Sequence, residues 1–416
     1  MRNRNRIAAA AVAMTSIVAV ALTGCSSGSS SADGGVGPIT FASGKDLTGA
    51  MPQLIDMWNK KHPDQKVTFI ELSASPDDQR NSFIQDFQAK SGKYDVLWDD
   101  VVWTSEFAAH GWLQPLDAAK VGSDAVLPAA VASATYEGKM YGAPFMTNAG
   151  LLYYRSDLVK TPPTTWAELE ADCKIAKANN MDCYAGQFNQ YEGLTVNVAE
   201  AINSAGGSFL SKDGKTVTVD SPEARAGLQH LVDMFKNGDI NKAAITYQEQ
   251  ESANAFLDGK AMFLRNWPYV YTAASADDSK IKGKFAMAQL PGQDALGVSS
   301  LGGINLGVSA YSKHKKTAEA WVQWMQSTEA QKILVSVMNQ ASVLSALYTD
   351  PDLVKVSPYL PTLQKSELTA VPRPQTPNYN AVSLAIQKNS YAALQGKVSV
   401  DAAITQMAAD ITQALK

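Results

Sequence analysis

Histidine and cysteine are scarce in this chain, and long apolar runs scarcer still. The four histidines, His62, His110, His230 and His314, are scattered. None has the His-Glu-x-x-His spacing that sets two imidazoles on one helix face around a metal, so metal-assisted hydrolysis on such a motif is not expected. An excess of basic charge is also missing. Lys and Arg number 36 against 40 Asp and Glu, a net charge of −4, and nothing in that balance would neutralise a nucleic-acid backbone. Beyond the N-terminal segment no apolar stretch approaches the ~20 residues needed to cross a bilayer. What remains, 45% hydrophobic and 18% charged, describes a globular soluble chain.

The one long apolar run has a telling context. Arg2, Arg4 and Arg6 precede Ile7 to Leu22, a run diluted only by Thr15 and Ser16, the layout of an export signal. Leu22-Thr-Gly-Cys25 resembles the bacterial lipobox, which implies acylation of Cys25 and cleavage before it. Ser26 to Gly37 is almost entirely Ser, Gly, Ala and Asp, the composition of a tether. The expectation is a signal peptide over 1–24, a lipidated flexible tether over 25–37, and a protein anchored on the extracytoplasmic face of the cell membrane. That leaves Cys173 and Cys183. Two cysteines so close in an exported chain read as a local disulfide joining a helix to the next strand. The rival, a metal or redox pair, lacks both Cys-x-x-Cys spacing and a nearby His.

The mature chain is too long for one ordinary core and suits two domains. Strand patterns at Ile39–Ser43, Val67–Leu72 and Tyr94–Trp98 alternate with helical ones at Leu47–Lys61 and Asp77–Lys90, which indicates α/β architecture with crossover connections. Tyr141–Tyr154 is long and extended, and its Pro and two Gly mark chain passing between lobes. Thr164 or Thr165 caps a helix, and helical segments follow at Glu192–Ser204, Ser221–Asn237 and Glu249–Asp258. Leu301–Ser309 is strand-like. Lys316–Ser336 reads as one helix carrying Trp321 and Trp324, and a Pro-rich passage from Val371 to Pro377 leads into terminal helices.

Six segments keep order and spacing over much of the mature chain. They are Tyr94–Trp103 with Glu106–Leu116, Asn148–Arg155, Tyr191-Glu-Gly-Leu194, Arg265-Asn-Trp-Pro-Tyr269 and Val371-Pro-Arg-Pro374. Together they resemble the sugar-binding lipoproteins of ATP-driven (ABC) importers, the extracellular solute-binding proteins of the maltose and trehalose type. The resemblance implies two α/β lobes of the periplasmic-binding-protein kind, joined by hinge segments around a ligand cleft. It places 38–147 with 303–342 in the first lobe and 148–302 with 343–416 in the second. It implies a monomer without catalysis, metal or cofactor, which takes a disaccharide such as trehalose or maltose, or another α-glucoside, to transmembrane permease subunits.

A sugar offers hydroxyls that donate and accept, and flat C–H patches; its site needs carboxylates, amides, Arg and aromatic faces. Asp100 ends the third strand, where α/β sheets place ligands, and is either a sugar contact or a cap for the segment that follows. Asp46, after the first strand, carries the same two readings. Arg80 lies on a helix face that looks solvated, and the resemblance makes it a candidate. Asn148 sits in the crossing segment, and Glu192 opens a helix. Trp267 and Tyr269 flank Pro268 and would stack on sugar. Arg373 is stiffened between Pro372 and Pro374, and Gly303 is implied by the resemblance. Ile304 stands where relatives often carry Trp, which removes one stacking platform. Two rivals remain: a surface glycoside hydrolase using Asp99, Asp100 and Glu192, and a binder of oligosaccharide, polyol or peptide.

Overall fold

The computed structural model describes residues 35–44, 49–73 and 76–416. Cys25, the signal segment, most of the tether and Asp46 lie outside those residues. In chain order the strands are β1 Ile39–Ser43, β2 Val67–Glu71, β3 Val96–Asp100, β4 Thr135–Tyr136, β5 Lys139–Met140, β6 Gly142–Ala149, β7 Leu151–Tyr154, β8 Asp182–Ala185, β9 Ala261–Asn266, β10 Ala286–Ala288, β11 Ser300–Val308, β12 Ala341–Ser342 and β13 Val371–Pro372. They form two main sheets, one ordered β12-β6-β11-β3-β1-β2 with β13 added on β11, the other β10-β7-β9-β8. This is the expected two-lobed α/β arrangement.

Period-two alternation explains why the first sheet is covered on both faces. Ile39, Phe41 and Val96 point into a core with Trp58 and Trp321, while Ala42 and Leu97 point into another with Phe83, Phe87 and Phe107. The second sheet does the same. Leu152, Tyr154 and Phe263 face the helix Glu192–Ser204 and its neighbours. Leu151, Tyr153 and Leu264 face a core shared with Val126, Leu127, Val343 and Tyr348.

The passage between sheets is abrupt. β6 belongs to the first sheet, β7 to the second, and only Gly150 separates them. The chain returns at β11, where Gly303 has a steric reason to be glycine. Its φ is +133°, and an added Cβ would lie 2.4 Å from the Met146 carbonyl oxygen, beside the register shift between Ile304 and Asn305. Cys173 and Cys183 are joined by a disulfide with Cα atoms 5.0 Å apart, tying the helix Trp166–Ala178 to β8. Thr165 caps that helix in a reciprocal box with Glu168.

One expected element is corrected. Lys316–Ser336 is two helices, Lys315–Met325 and Thr328–Ser336, because the Ser327 hydroxyl accepts from the Ala330 amide and starts a fresh turn. The third strand begins two residues later than expected and ends on Asp100 itself.

Candidate functional site

Arg373 follows β13, whose two residues lie beside Ser300 and Leu301 of β11. Its Nη1 donates to Glu192 Oε1 at 2.5 Å, and its Nη2 lies 3.5 Å from Asp100 Oδ1. One cation is thus held between a carboxylate ending a strand of the first sheet and another opening a helix packed on the second. Glu192 also accepts from the Ser383 hydroxyl at 2.6 Å and from the Tyr379 hydroxyl. Burial opposes the charge on Arg373, yet Tyr379, Glu192 and Asp100 outweigh it and keep the guanidinium cationic. Burial also raises the pKa of Asp100, against the pull of Arg373 and a hydrogen bond from the Val102 amide. That 3.1 Å bond shows Asp100 capping the following turn. It caps the turn and faces Arg373 at once.

The aromatic pair is fixed from behind. Tyr153, fully buried in β7, donates its hydroxyl to the carbonyls of Trp267 at 2.8 Å and Pro268 at 3.1 Å. The Trp267 ring lies 4.1 Å from the Arg265 guanidinium. Its far edge rests over Gly302 of β11, where a Cβ would be 3.2 Å from the ring. A Cβ there would require the indole edge to give by a few tenths of an ångström. Tyr191 folds across Gly193, where a Cβ would collide with its ring, and donates to Glu249 at 2.7 Å. Burial, then the nearby Glu249, raises the Tyr269 phenol, which stays protonated and can both donate and accept.

Asn148 stands opposite Gly302 across the β6–β11 pairing and donates to Gln340 at 3.1 Å. Its Oδ1, like the Nε of Arg373, is buried with no hydrogen-bond partner among the described residues. Buried polar atoms are normally satisfied, and these two are exceptions beside the Arg373 network. Asp99 faces the other way. It is fully buried, accepts from Thr104 at 2.7 Å, and burial holds its carboxyl well above the usual range.

The structure therefore gathers Asp100, Glu192 and Arg373 into one network, with Asn148, Trp267 and Gly303 along the adjoining stretch of β6 and β11 and Tyr269 beyond Trp267. Arg80 forms a two-bond ion pair with Glu106. Sequence reasoning missed Tyr379, Ser383, Gln340 and Arg265. Tyr379 and Ser383 are four apart on the helix Tyr379–Leu394, a spacing that puts both on one face. That spacing was the only signal available. Among the described residues no group of three or more His, Cys, Asp or Glu could hold a metal ion.

Known proteins resemble this chain in sequence and in fold. The model of the bacterial extracellular solute-binding protein family matches residues 43–332. A protein of Deinococcus radiodurans named as a probable ABC transporter-binding protein is 34% identical over 82% of this chain and 84% of its own length. The solved structure of maltose-bound T. maritima MalE3 is 33% identical, with a TM-score of 0.82 over 90% of this chain and 99% of that one. An ABC transporter solute-binding protein from Thermotoga lettingae, bound with α-D-tagatose, shares the fold at a TM-score of 0.80, 91% of this chain covering 100% of that one at 23% identity. The chain belongs to the bacterial extracellular solute-binding proteins, a family of binders and not of enzymes.

Proposed function

We propose that this chain is the extracytoplasmic sugar-binding component of an ABC importer. It captures a disaccharide such as maltose or trehalose, or another α-glucoside, between its two lobes and delivers it to permease subunits. The observation that carries the reading is the Arg373 bridge between Asp100 and Glu192, with the Trp267 face over Gly302 of the adjoining strand β11. Carboxylates and a fixed guanidinium suit sugar hydroxyls, and an indole face suits C–H patches. The named relatives add that a maltose complex exists at 33% identity. In this reading the lobes pivot where the chain passes between sheets, a hinge closure of the periplasmic-binding kind. Acylated Cys25 holds the monomer to the membrane.

A second reading, a polyol ligand, draws on Ile304. It sits buried against Asp100 and Met146 where a second aromatic platform would otherwise serve a larger sugar. A relative in Pseudomonas aeruginosa, 24% identical over 85% of this chain and 87% of its own length, is a mannitol-binding protein. A thermal-shift screen separates the readings. A ligand at 100 Kd adds about 2.7 kcal/mol to stability, and the panel is maltose, trehalose, other α-glucosides, mannitol and a peptide. Stabilisation by a peptide but by no sugar or polyol would overturn the proposal.

A further inference from the structure

We propose that Arg265 is a positioning residue for ligand binding. Its ion pair with Glu200 sets the Trp267 ring in place and ties that ring to both points where the chain passes between the sheets. The inference rests on the reading of Trp267 as a ligand-stacking residue.

β9 carries Arg265 into the interior, where 1% of it is exposed. Nε and Nη2 donate to Glu200 at 2.7 and 2.6 Å, and Nη1 donates to Gln187 at 3.1 Å. Two carboxylate bonds fix the plane of the guanidinium, as a Lys ammonium could not. That plane lies 4.1 Å from the centre of the Trp267 ring, a cation–π contact away from water. The ring's other support is Gly302.

Glu200 does more than neutralise the Arg. Its Oε1 accepts from the Ser299 hydroxyl at 3.0 Å and the Ser300 amide at 3.1 Å, where the chain re-enters the first sheet. The Ser299 hydroxyl in turn accepts from the Gly150 amide at 2.5 Å, at the outgoing passage. A Cβ on Gly150 would sit 2.5 Å from Arg265 Nη2, so glycine is required for the guanidinium to fit. Rotation of one lobe on the other bends the backbone at every passage between them, these two included. The same ion pair braces both and holds the indole. Ring angle and lobe angle are thereby coupled through one buried contact.

The test uses Arg265→Lys in the full chain, with two readouts. The first needs no ligand: the Trp267 contribution to near-ultraviolet circular dichroism, obtained as wild type minus Trp267→Phe. Arg265→Lys should abolish or invert that band; an unchanged band beside a lowered melting temperature would mean a purely structural role and overturn the proposal. The second readout is Kd for maltose, or for whichever panel sugar stabilises the wild type. Arg265→Lys should weaken it roughly tenfold. Adding Trp267→Ala should then cost much less than in the wild-type background. Strictly additive losses overturn the proposal. If no panel member binds wild type, the ligand reading fails while the spectroscopic arm still decides the positioning claim. Should Arg265→Lys not fold, Glu200→Gln keeps the shape without the charge and carries the same expectations.

Discussion

Replacing Arg373 by Met tests the centre of the site, because it removes the cation that two carboxylates share. Losing one partner of a fully buried ion pair costs about 3–5 kcal/mol. Here the side chains of Glu192 and Asp100 are 36% and 26% exposed. Water re-solvates them in part, and the expected cost at neutral pH falls to roughly 1–2 kcal/mol. The pH dependence is the sharper signature. Burial already raises Asp100 above its unfolded value, and Arg373 is the charge opposing that rise. Without Arg373 the folded pKa climbs further. A carboxyl raised on folding loses stability as pH rises from its unfolded value through its folded value. The deficit of Arg373→Met should therefore be full near pH 7.5 and shrink as pH falls toward about 4.5. Urea unfolding at both pH values measures it. Equal deficits would refute the charge-sharing argument, as would a variant as stable as wild type at pH 7.5. Sugar affinity should fall by about 10- to 100-fold, since hydrogen bonds to charged groups are worth about 1.5–3 kcal/mol.

Other outcomes follow from the same structure. Gly303→Ala should destabilise by about 2–3 kcal/mol, from strain at its φ and collision with the Met146 carbonyl; an unchanged melting temperature would mean the strand relaxes freely. Reducing Cys173–Cys183 releases a ten-residue separation and should cost about 2–3 kcal/mol, while the Kd for sugar, by isothermal titration, stays within about twofold. Burial pushes Glu367 up to about 8, against a hydrogen bond from Thr147. Its raised value means that stability falls with pH between its unfolded value near 4.3 and about 8, by up to about 1.4 kcal/mol per unit. Glu367→Gln should flatten that slope in denaturant unfolding, and a parallel profile would dismiss the assignment.

The parts legible in sequence were those written locally. Alternation at Ile39–Ser43 and the Thr165 cap with Glu168 involve near neighbours, and the structure has both. Ser327 was readable as an N-cap within Lys316–Ser336, but with Ala330 where a capping box has Glu, and no Gly or Pro there, the helical pattern on either side concealed it. The network at Glu192 was legible only in part, because its partners are remote: Arg373 is 181 positions away and Ser383 is 191. A polar residue on a helix looks solvated until packing shows what faces it. Arg80 is a second such case, since its partner Glu106 stands 26 positions on. The reason for Gly150 could not be read from sequence, because the side chain that forbids a Cβ there belongs to β9.

The single residue between β6 and β7 also restricts how the molecule can move. In the proposed hinge reading, two slabs joined by one glycine, by the lead into β11 and by the step from β12 to Val343 would swing rather than slide, as a door does on close-set pins. Little travel occurs near such an axis and much at the rim. A swing of about 15°, a size known for subunit rotations, carries a point roughly 20 Å out through about 5 Å. A reporter pair placed at the outer rims would register capture as a large change in distance, while the contacts at Gly150 barely shift.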